Sequence, residues 1–344
     1  MKVTSATILI CTYNRARLLR ETLASLRHLV PPAGCTLETI VVDNNSSDDT
    51  KQVVAEAGER VVNGTIRYLA ESRQGKSFAL NTGLAHATGD IVALTDDDVL
   101  AATDWLARIV ENFRTRDITF VFGKVLPRWT TTPAPELLTL RAQDIWGPLA
   151  IVDYGDDPAE YLADNTGQRL PIGANLAFAR EVLVAIGGWR TDLGKVNNTL
   201  ISGEDHEIFM RLRRFGLYRG HYDPKVSVRH YVPASRLTRK YFRQWFYWSG
   251  KTHALMLDDL YPSLDLSRVP RFFGVPRFLY RQAAEQGWRY VKRLGRQDAL
   301  ALLIEEVRLL QFAGLLSGCW KAHTQRASRD AGPSVDASSS SLRA

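Results

Sequence analysis

Apolar and polar positions along the first hundred residues switch between two periods. TILIC (7–11), TIVVD (39–43), IRYLA (66–70) and the run DIVALT that leads into three aspartates are short and rich in β-branched residues, and polar turns bound them. These are the marks of buried strands. Between them, ARLLRETLASLRHL (16–29) repeats its leucines at helical spacing and stops at Pro31 and Pro32. TKQVVAEAGE (50–59) forms a second helical stretch, and a third follows Gly75. This β-α-β-α rhythm predicts an α/β fold with a mainly parallel sheet flanked by helices. Ligands of such sheets bind beyond the carboxyl ends of the strands. Those ends read CTYNR, DNNSSD, ESRQGK and DDD, so polar groups from four turns are expected on one rim.

The pattern after the aspartates changes twice. VLAATDWLARIV (99–110) has the periodicity of a helix, and residues 126–235 are less regular, with a Pro-rich stretch and the segments PIGANLAFAREVL, GGW and SGEDHEIFMRLRRFG. From 236 the chain reads as helical and aromatic. The expected division is a first domain over 1–235, with halves at about 1–125 and 126–235, then a basic, aromatic helical C-terminal region over 236–325. Residues 326–344 carry too little apolar surface to offset the entropy of ordering and are expected to form a disordered tail.

Composition narrows the class. The 344 residues are 45% hydrophobic and 24% charged, as in an ordinary globular protein. No apolar run reaches the roughly 18 residues of a membrane span, and the N-terminus lacks the layout of a signal peptide. The expected location is the cytoplasm. Three cysteines at unrelated spacings suggest neither a disulfide framework nor a zinc site. The net charge of +7 is concentrated in the second half, where residues 211–296 hold 19 Lys and Arg against 5 Asp and Glu. A basic face of that kind suits anionic lipid at the inner face of the cell membrane, a phosphorylated acceptor or nucleic acid, and also an ordinary solvated helical surface.

Two motifs carry chemistry. Asp96, Asp97 and Asp98 end a buried strand, and three adjacent acids repel unless a cation sits among them; Mg²⁺ or Mn²⁺ fits, and an acidic helix cap is the alternative. AESRQGKS (70–77) satisfies the P-loop pattern, which would make the chain an NTPase. Against that stand its single glycine, where a phosphate nest uses several, and its place after the third strand. A nucleic-acid-binding module built on the basic half is a third reading, but such a module has no use for acids at strand and helix ends.

TILICTYNRARLLRETLASL, VVDNNSSDDT, GKSFALNTGLAHATGDIVALTDDDV, GANLAFAREVLVAIGGW and SGEDHEIFMRLRRFG, in that order over about residues 5–250, resemble the inverting family 2 glycosyltransferases of the GT-A fold. The resemblance implies a GT-A-like nucleotide-binding fold and metal-dependent transfer of a sugar, with inversion, from a UDP-, GDP- or dTDP-linked donor to a glycan or lipid-linked acceptor. Nucleic acid is not among the partners it implies.

It also implies roles. Thr12, Tyr13 and Asn14 match the turn beside the nucleoside, and Asp43 and Asn44 match an acidic pair after the second strand, with Asn in place of the second acid. Arg73, Gly75 and Lys76 match the loop near the diphosphate; Asn81 and Gly83 lie on the helix after it. The aspartates match the family's DxD region, with Asp96 and Asp97 on the donor and Asp97, Asp98 and a later His230 as metal ligands. Gly173, Ala174, Asn175, Trp189 and Glu204 are expected on the acceptor side, Trp189 by stacking on a sugar ring. Asp205 is expected to be the general base. Arg236, Arg239, Lys240 and Arg243 are candidates for holding the departing diphosphate or an acceptor phosphate.

Overall fold

The computed structural model describes residues 1–58, 64–164, 169–196 and 199–330, with side chains through 325. In the first half, β1 (Ser5–Thr12), α1 (Ala16–Leu26), β2 (Thr36–Asp43), α2 (Thr50–Gly58), β3 (Thr65–Ala70), α3 (Lys76–His86) and β4 (Ile91–Asp96) follow in the expected order. β1 pairs in parallel with β2 and β4, and β2 with β3. Ile8 to Ile10, Ile40 to Val42 and Ile91 to Leu94 are at most 2% exposed. Helices cover both faces of these strands, which is why the runs are continuously apolar and do not alternate.

The second half supplies β5 (Val99–Ala101), α4 (Trp105–Thr115), β6 (Phe120–Trp129), β7 (Ala159–Leu162), β8 (Asn175–Ala179), α5 (Arg180–Ala185), α6 (Glu204–Arg214) and β9 (Arg219–Val232). The described residues form one nine-stranded sheet in the order β3-β2-β1-β4-β8-β6-β9-β5, with β7 on β9. β8 runs antiparallel to β4, so Asn175 lies opposite Thr95 and the chain re-enters the sheet at the rim where the aspartates leave it. The helix expected over 99–110 begins only at Trp105. Residues 99–101 are drawn into β5 instead, with Val99 opposite His230 and the Val99 and Ala101 amides donating to Thr22 and Ser25 of α1. Tertiary partners here override local periodicity. The turn after the aspartates is thereby tied to His230.

The C-terminal region is α7 (Arg239–Leu255), α8 (Leu257–Leu260), a hairpin of β10 (Arg271–Phe272) and β11 (Val275–Pro276), α9 (Arg277–Val291) and α10 (Ala299–Asp330). α10 carries the helix through Asp330, so the expected tail does not start at 326. Ala, Gln and Arg extend an existing helix at little cost. Residues 331–344 lie outside the described residues. Leu137, Ile145, Trp146 and Leu149 share an apolar cluster with Phe242, Phe246, Leu300 and Val307, which seats α7 and α10 on the 135–149 segment. α7 and α10 cross at backbone contact. A Cβ on Gly250 would lie 1.9 Å from the Gln311 carbonyl oxygen, and one on Gly314 would lie 1.9 Å from that of Tyr247.

This reciprocal glycine pair sets a test. Gly250→Leu or Gly314→Leu must push the two helices apart, at a cost of about 1–3 kcal/mol. Calorimetry should show a lowered Tm for each variant, and an unchanged Tm would mean that the helices do not cross at this point.

Candidate active site

The four strand ends meet as predicted, and the turns that leave them are braced by side chains. Asn14 takes a left-handed φ of 52°, and its carboxamide oxygen accepts the Ser47 amide at 2.7 Å, joining the first turn to the second. Asp43 accepts from the Ser46 amide and the Tyr68 hydroxyl, each at 2.8 Å. Asn44 holds the third turn. Its Oδ1 accepts the Gly75 amide at 2.7 Å, while its Nδ2 donates to the carbonyls of Glu71 and Arg73 at 3.1 and 2.8 Å. An aspartate could accept from Gly75 but would set a carboxylate against two carbonyl oxygens, which is a physical reason for Asn at this position.

That bracing also disposes of the P-loop. In a phosphate nest the loop amides point free into the site. Here the Arg73 amide donates to Glu71, that of Gly75 to Asn44 and that of Lys76 to the Lys195 carbonyl.

The aspartates divide their work. Asp97 is buried, accepts from Thr12 Oγ1 at 2.8 Å and lies 3.0 Å from Arg15, whose same nitrogen reaches Asp98 at 2.7 Å. Burial, with Asp98 and Asp96 alongside, pushes the Asp97 pKa up to about 6 against the pull of Arg15 and Thr12. Burial also works against the Asp98 charge, but His230 and Arg15 outweigh it and hold that carboxyl well below the usual range. Asp98 Oδ1 is buried, 3.3 Å from His230 Nε2, and has no hydrogen bond among the described residues. One ligand atom each from Asp96, Asp98 and His230 lies within 4.8 Å of the others. Carboxylate oxygens and an imidazole nitrogen around an unsatisfied buried oxygen suit a hard or borderline divalent cation. The grouping contains Asp98 and His230 of the expected ligands together with Asp96, whereas both carboxylate oxygens of Asp97 are engaged, by Thr12 and Arg15.

Lys76, at the start of α3, joins this cluster to the second acidic pair. Its Nζ lies 3.4 Å from Asp96 and 3.3 Å from Glu204. Burial disfavours its charge, but Asp96, Asp205 and Glu204 together hold its pKa well above the usual lysine value. Asp205 stands in the first turn of α6, accepts the Gly173 amide at 2.8 Å through Oδ2 and leaves Oδ1 buried, with no hydrogen bond among the described residues. Burial and the neighbouring Glu204 push the Asp205 pKa up to about 6, opposed by Lys76 and the Gly173 amide. Asp205, Gly173, Lys76, Asp96 and Cys11 line one recess. Cys11, Lys76 and Asp96 also line an adjoining cleft of about 280 Å³, with Thr12, Tyr13, Asn44, Asp97, Asp98 and His230.

Other expected residues lie elsewhere. Trp189 is 2% exposed in the core, and Asn81 bonds its backbone N–H and C=O, both at 2.8 Å; neither is free for a sugar or nucleotide. Asn175 is 1% exposed and bonds the Trp105 indole and the carbonyls of Lys124 and Val226, so it is a core hub and no acceptor ligand. Ala174 is buried beneath the rim, its carbonyl accepting from Thr95. Arg73 turns to a bidentate pair with Glu71 and stacks over Phe78. Arg239 and Arg243 are both clamped on Glu306 of α10, leaving Arg236 as the member of its group that lines the cleft. Arg15 and Lys195 line the cleft unforeseen. Arg15 could have been found as a cation just past β1, the strand beside the one that ends in DDD. Lys195 sits in a loop that no motif marks.

Residues 7–183 match the profile of the family described as Glycosyl transferase family 2. The chain is 24% identical over 259 residues to the glucosyl-dolichyl phosphate glucuronosyltransferase of Haloferax volcanii, covering 74% of this chain and 78% of that protein. It is 28% identical over 251 residues to the succinoglycan biosynthesis protein ExoM of Rhizobium meliloti, covering 73% and 74%. A solved mannosyltransferase, PcManGT from Pyrobaculum calidifontis in complex with GDP-Man and Mn²⁺, superposes over 96% of this chain and 80% of its own, with a TM-score of 0.52 and 22% identity, a likeness of fold.

Two outcomes are expected from the geometry. Asn44→Asp should cost about 1–3 kcal/mol although it keeps the side chain's shape, because a buried donor pair is lost; denaturant unfolding at pH 7 that matches the wild type would contradict the assigned bonds. Mn²⁺ binding, read by electron paramagnetic resonance, should weaken at least tenfold in Asp98→Ala and in His230→Ala, and by much less in Asp97→Asn. Equal losses in all three variants would return Asp97 to the ligand set.

Proposed function

The chain belongs to glycosyl transferase family 2, and on that footing we propose that it moves a sugar from a nucleoside diphosphate donor to an acceptor hydroxyl, with inversion and with Asp205 as general base. The observation that carries the reading is the shared cleft: the acids after β4 and the acids opening α6 face each other across Lys76. Inverting displacement needs a diphosphate-holding group on one face of the anomeric carbon and a base on the other.

Donor residues come from the first half. Thr12, Tyr13 and Asn44 line the nucleoside end of the cleft, and Tyr13, 43% exposed, offers a ring to the base. Asp43, Asn14 and Gly75 act behind them by fixing the turns. Asp96, Asp98 and His230 would hold Mg²⁺ or Mn²⁺, which supplies positive charge against the diphosphate. Lys76, Lys195 and Arg236 line the same cleft and place further charge where the leaving group departs.

On the acceptor side, Gly173 orients the Asp205 carboxylate through its amide. The free, buried Oδ1 of Asp205 is positioned to take the proton of the attacking hydroxyl. Its pKa near 6 keeps it ionised at neutral pH while making it a stronger base than an exposed aspartate. Glu204 holds Lys76 in place. One named relative is a glucosyl-dolichyl phosphate glucuronosyltransferase and the other a succinoglycan biosynthesis protein. They support a glycan or lipid-linked glycan as the acceptor class.

Asp205→Asn should lower kcat by about 10²–10⁴-fold and leave donor affinity, measured by calorimetry, within about twofold. The base works only when deprotonated, so kcat/KM should be level at neutral pH and fall as pH drops through about 6. Joint loss of donor affinity and activity would move Asp205 to the donor, and a limb near pH 4 would show that its carboxyl is not shifted.

A further inference from the structure

The surface formed by the β10–β11 hairpin and the outer face of α9 is unlike the rest of the molecule. Phe272 and Phe273 are 59% and 65% exposed, with their rings 4.5 Å apart. Phe273 sits at a φ of 46°, in the left-handed region that bulky residues avoid, and Gly274 follows at 76°. The turn is held from beneath. A Cβ on Gly274 would lie 2.2 Å from the His323 side chain of α10, Arg271 bonds the Gly274 and Leu266 carbonyls, and the Tyr280 hydroxyl bonds the Phe272 carbonyl. The fold thus fixes two phenyl rings on a braced turn and leaves them in water.

Pro276 leads directly into α9, so the hairpin and the helix face are continuous. Leu279 and Gln286, one heptad apart, are buried, with Gln286 bonded to Glu305 of α10. Arg277, Arg281, Ala284, Trp288 and Val291, at positions i, i+4, i+7, i+11 and i+14, are all exposed. Trp288 is 60% exposed and Leu294, just past the helix, 51%. Trp320, 55% exposed, lies one turn before His323 on α10. Residues 261–296 hold eight Lys and Arg against two acids, and those acids, Asp265 and Glu285, are already paired with Arg268 and Arg281. Among the described residues no helix is long and apolar enough to cross a membrane. Exposed aromatics interleaved with a surplus of cations over acids are what an interfacial element requires: the rings enter the headgroup boundary and the cations meet the lipid phosphates.

We propose that this hairpin and the outer face of α9 form a docking surface for an anionic lipid bilayer, with Phe272 and Phe273 inserting and Arg277, Arg281, Arg289 and Lys292 contacting headgroups. The surface is independent of the cleft chemistry; only its use, bringing the enzyme to a lipid-linked acceptor, rests on the reading above.

The test is co-sedimentation of the full chain with phosphatidylcholine vesicles with and without 30% phosphatidylglycerol, a composition set on the order of a strongly anionic leaflet. The wild type should sediment with the anionic vesicles only, and less as salt rises. Phe272→Ser/Phe273→Ser should bind at least tenfold more weakly, and so should Arg277→Glu/Arg281→Glu/Arg289→Glu, a set of exposed positions whose exchange leaves the core alone; donor affinity in both must match the wild type. Asp205→Asn should bind vesicles normally, which separates failure of this surface from failure of the catalytic reading. Absence of sedimentation, retention of binding by both variants, or self-association that the Phe variant abolishes would overturn the proposal, the last by showing that a second copy covers the face.

Discussion

The charge of Lys76 is the constraint on which the site depends. Asp96 after β4 and Glu204 at the head of α6 come from segments more than a hundred residues apart, and without a cation between them they would repel across a cleft with little water to screen them. Lys76 sits between them, and its position is fixed from the other side. Its own amide bonds the Lys195 carbonyl, and the next residue, Ser77, bonds the Leu193 carbonyl at 2.7 Å. The start of α3 is therefore the joint between the two halves of the catalytic region. The octapeptide that resembles a P-loop is a brace for the cleft, with its lysine as a structural counter-ion.

A second consequence concerns how the acids are kept distinct. Asp97 and Asp98 are neighbours in sequence and both buried, yet one carboxyl is pushed up to about 6 and the other held well down. His230 makes much of the difference, because it lies 3.3 Å from Asp98, whereas Asp97 has Thr12 and Arg15 for partners. Residues 99–101, which leave the helix to pair with β9, and β6 on the other side hold it at that place. A small departure from local periodicity thus helps to position one of the candidate cation ligands. Arg15 spans the two carboxylates and keeps the pair from repelling.

What the sequence showed and what it concealed follow from the same physics. Strand ends were legible because both-faced burial writes continuous apolar runs, and the DDD and ED segments were legible because ionised groups at such ends need a partner. Burial of individual polar residues was not. Asn81, Asn175 and Trp189 lie in the segments that resemble the family, but a motif gives chain position and not which way a side chain turns. All three point inward, where two asparagines satisfy backbone and indole groups that would otherwise be orphaned. Lys195 was invisible for the opposite reason, since a lone lysine in an irregular loop carries no periodicity at all.

The basic surplus of the second half, uniform in the sequence, is divided by the structure into two populations with different consequences. Arg239 and Arg243 on Glu306, Arg190 and Arg214 on Asp259, and Arg308 and Arg169 on Asp144 are cross-links between segments. Each group sets two cations on one acid, so Asp144, Asp259 and Glu306 are saturated by folding. Among the described residues Arg277 and Arg289 of α9 have no carboxylate partner, Arg281 pairs with Glu285 of the same helix, and Lys292, just past it, lies over the Trp288 ring at 5.2 Å. Charge that merely kept the protein in solution would not need to lie among exposed Phe, Trp, Val and Leu side chains, whose hydration costs free energy that an ordinary surface avoids. The pairing of uncompensated cations with uncovered apolar groups on one face separates this surface from the cross-linked remainder of the basic half.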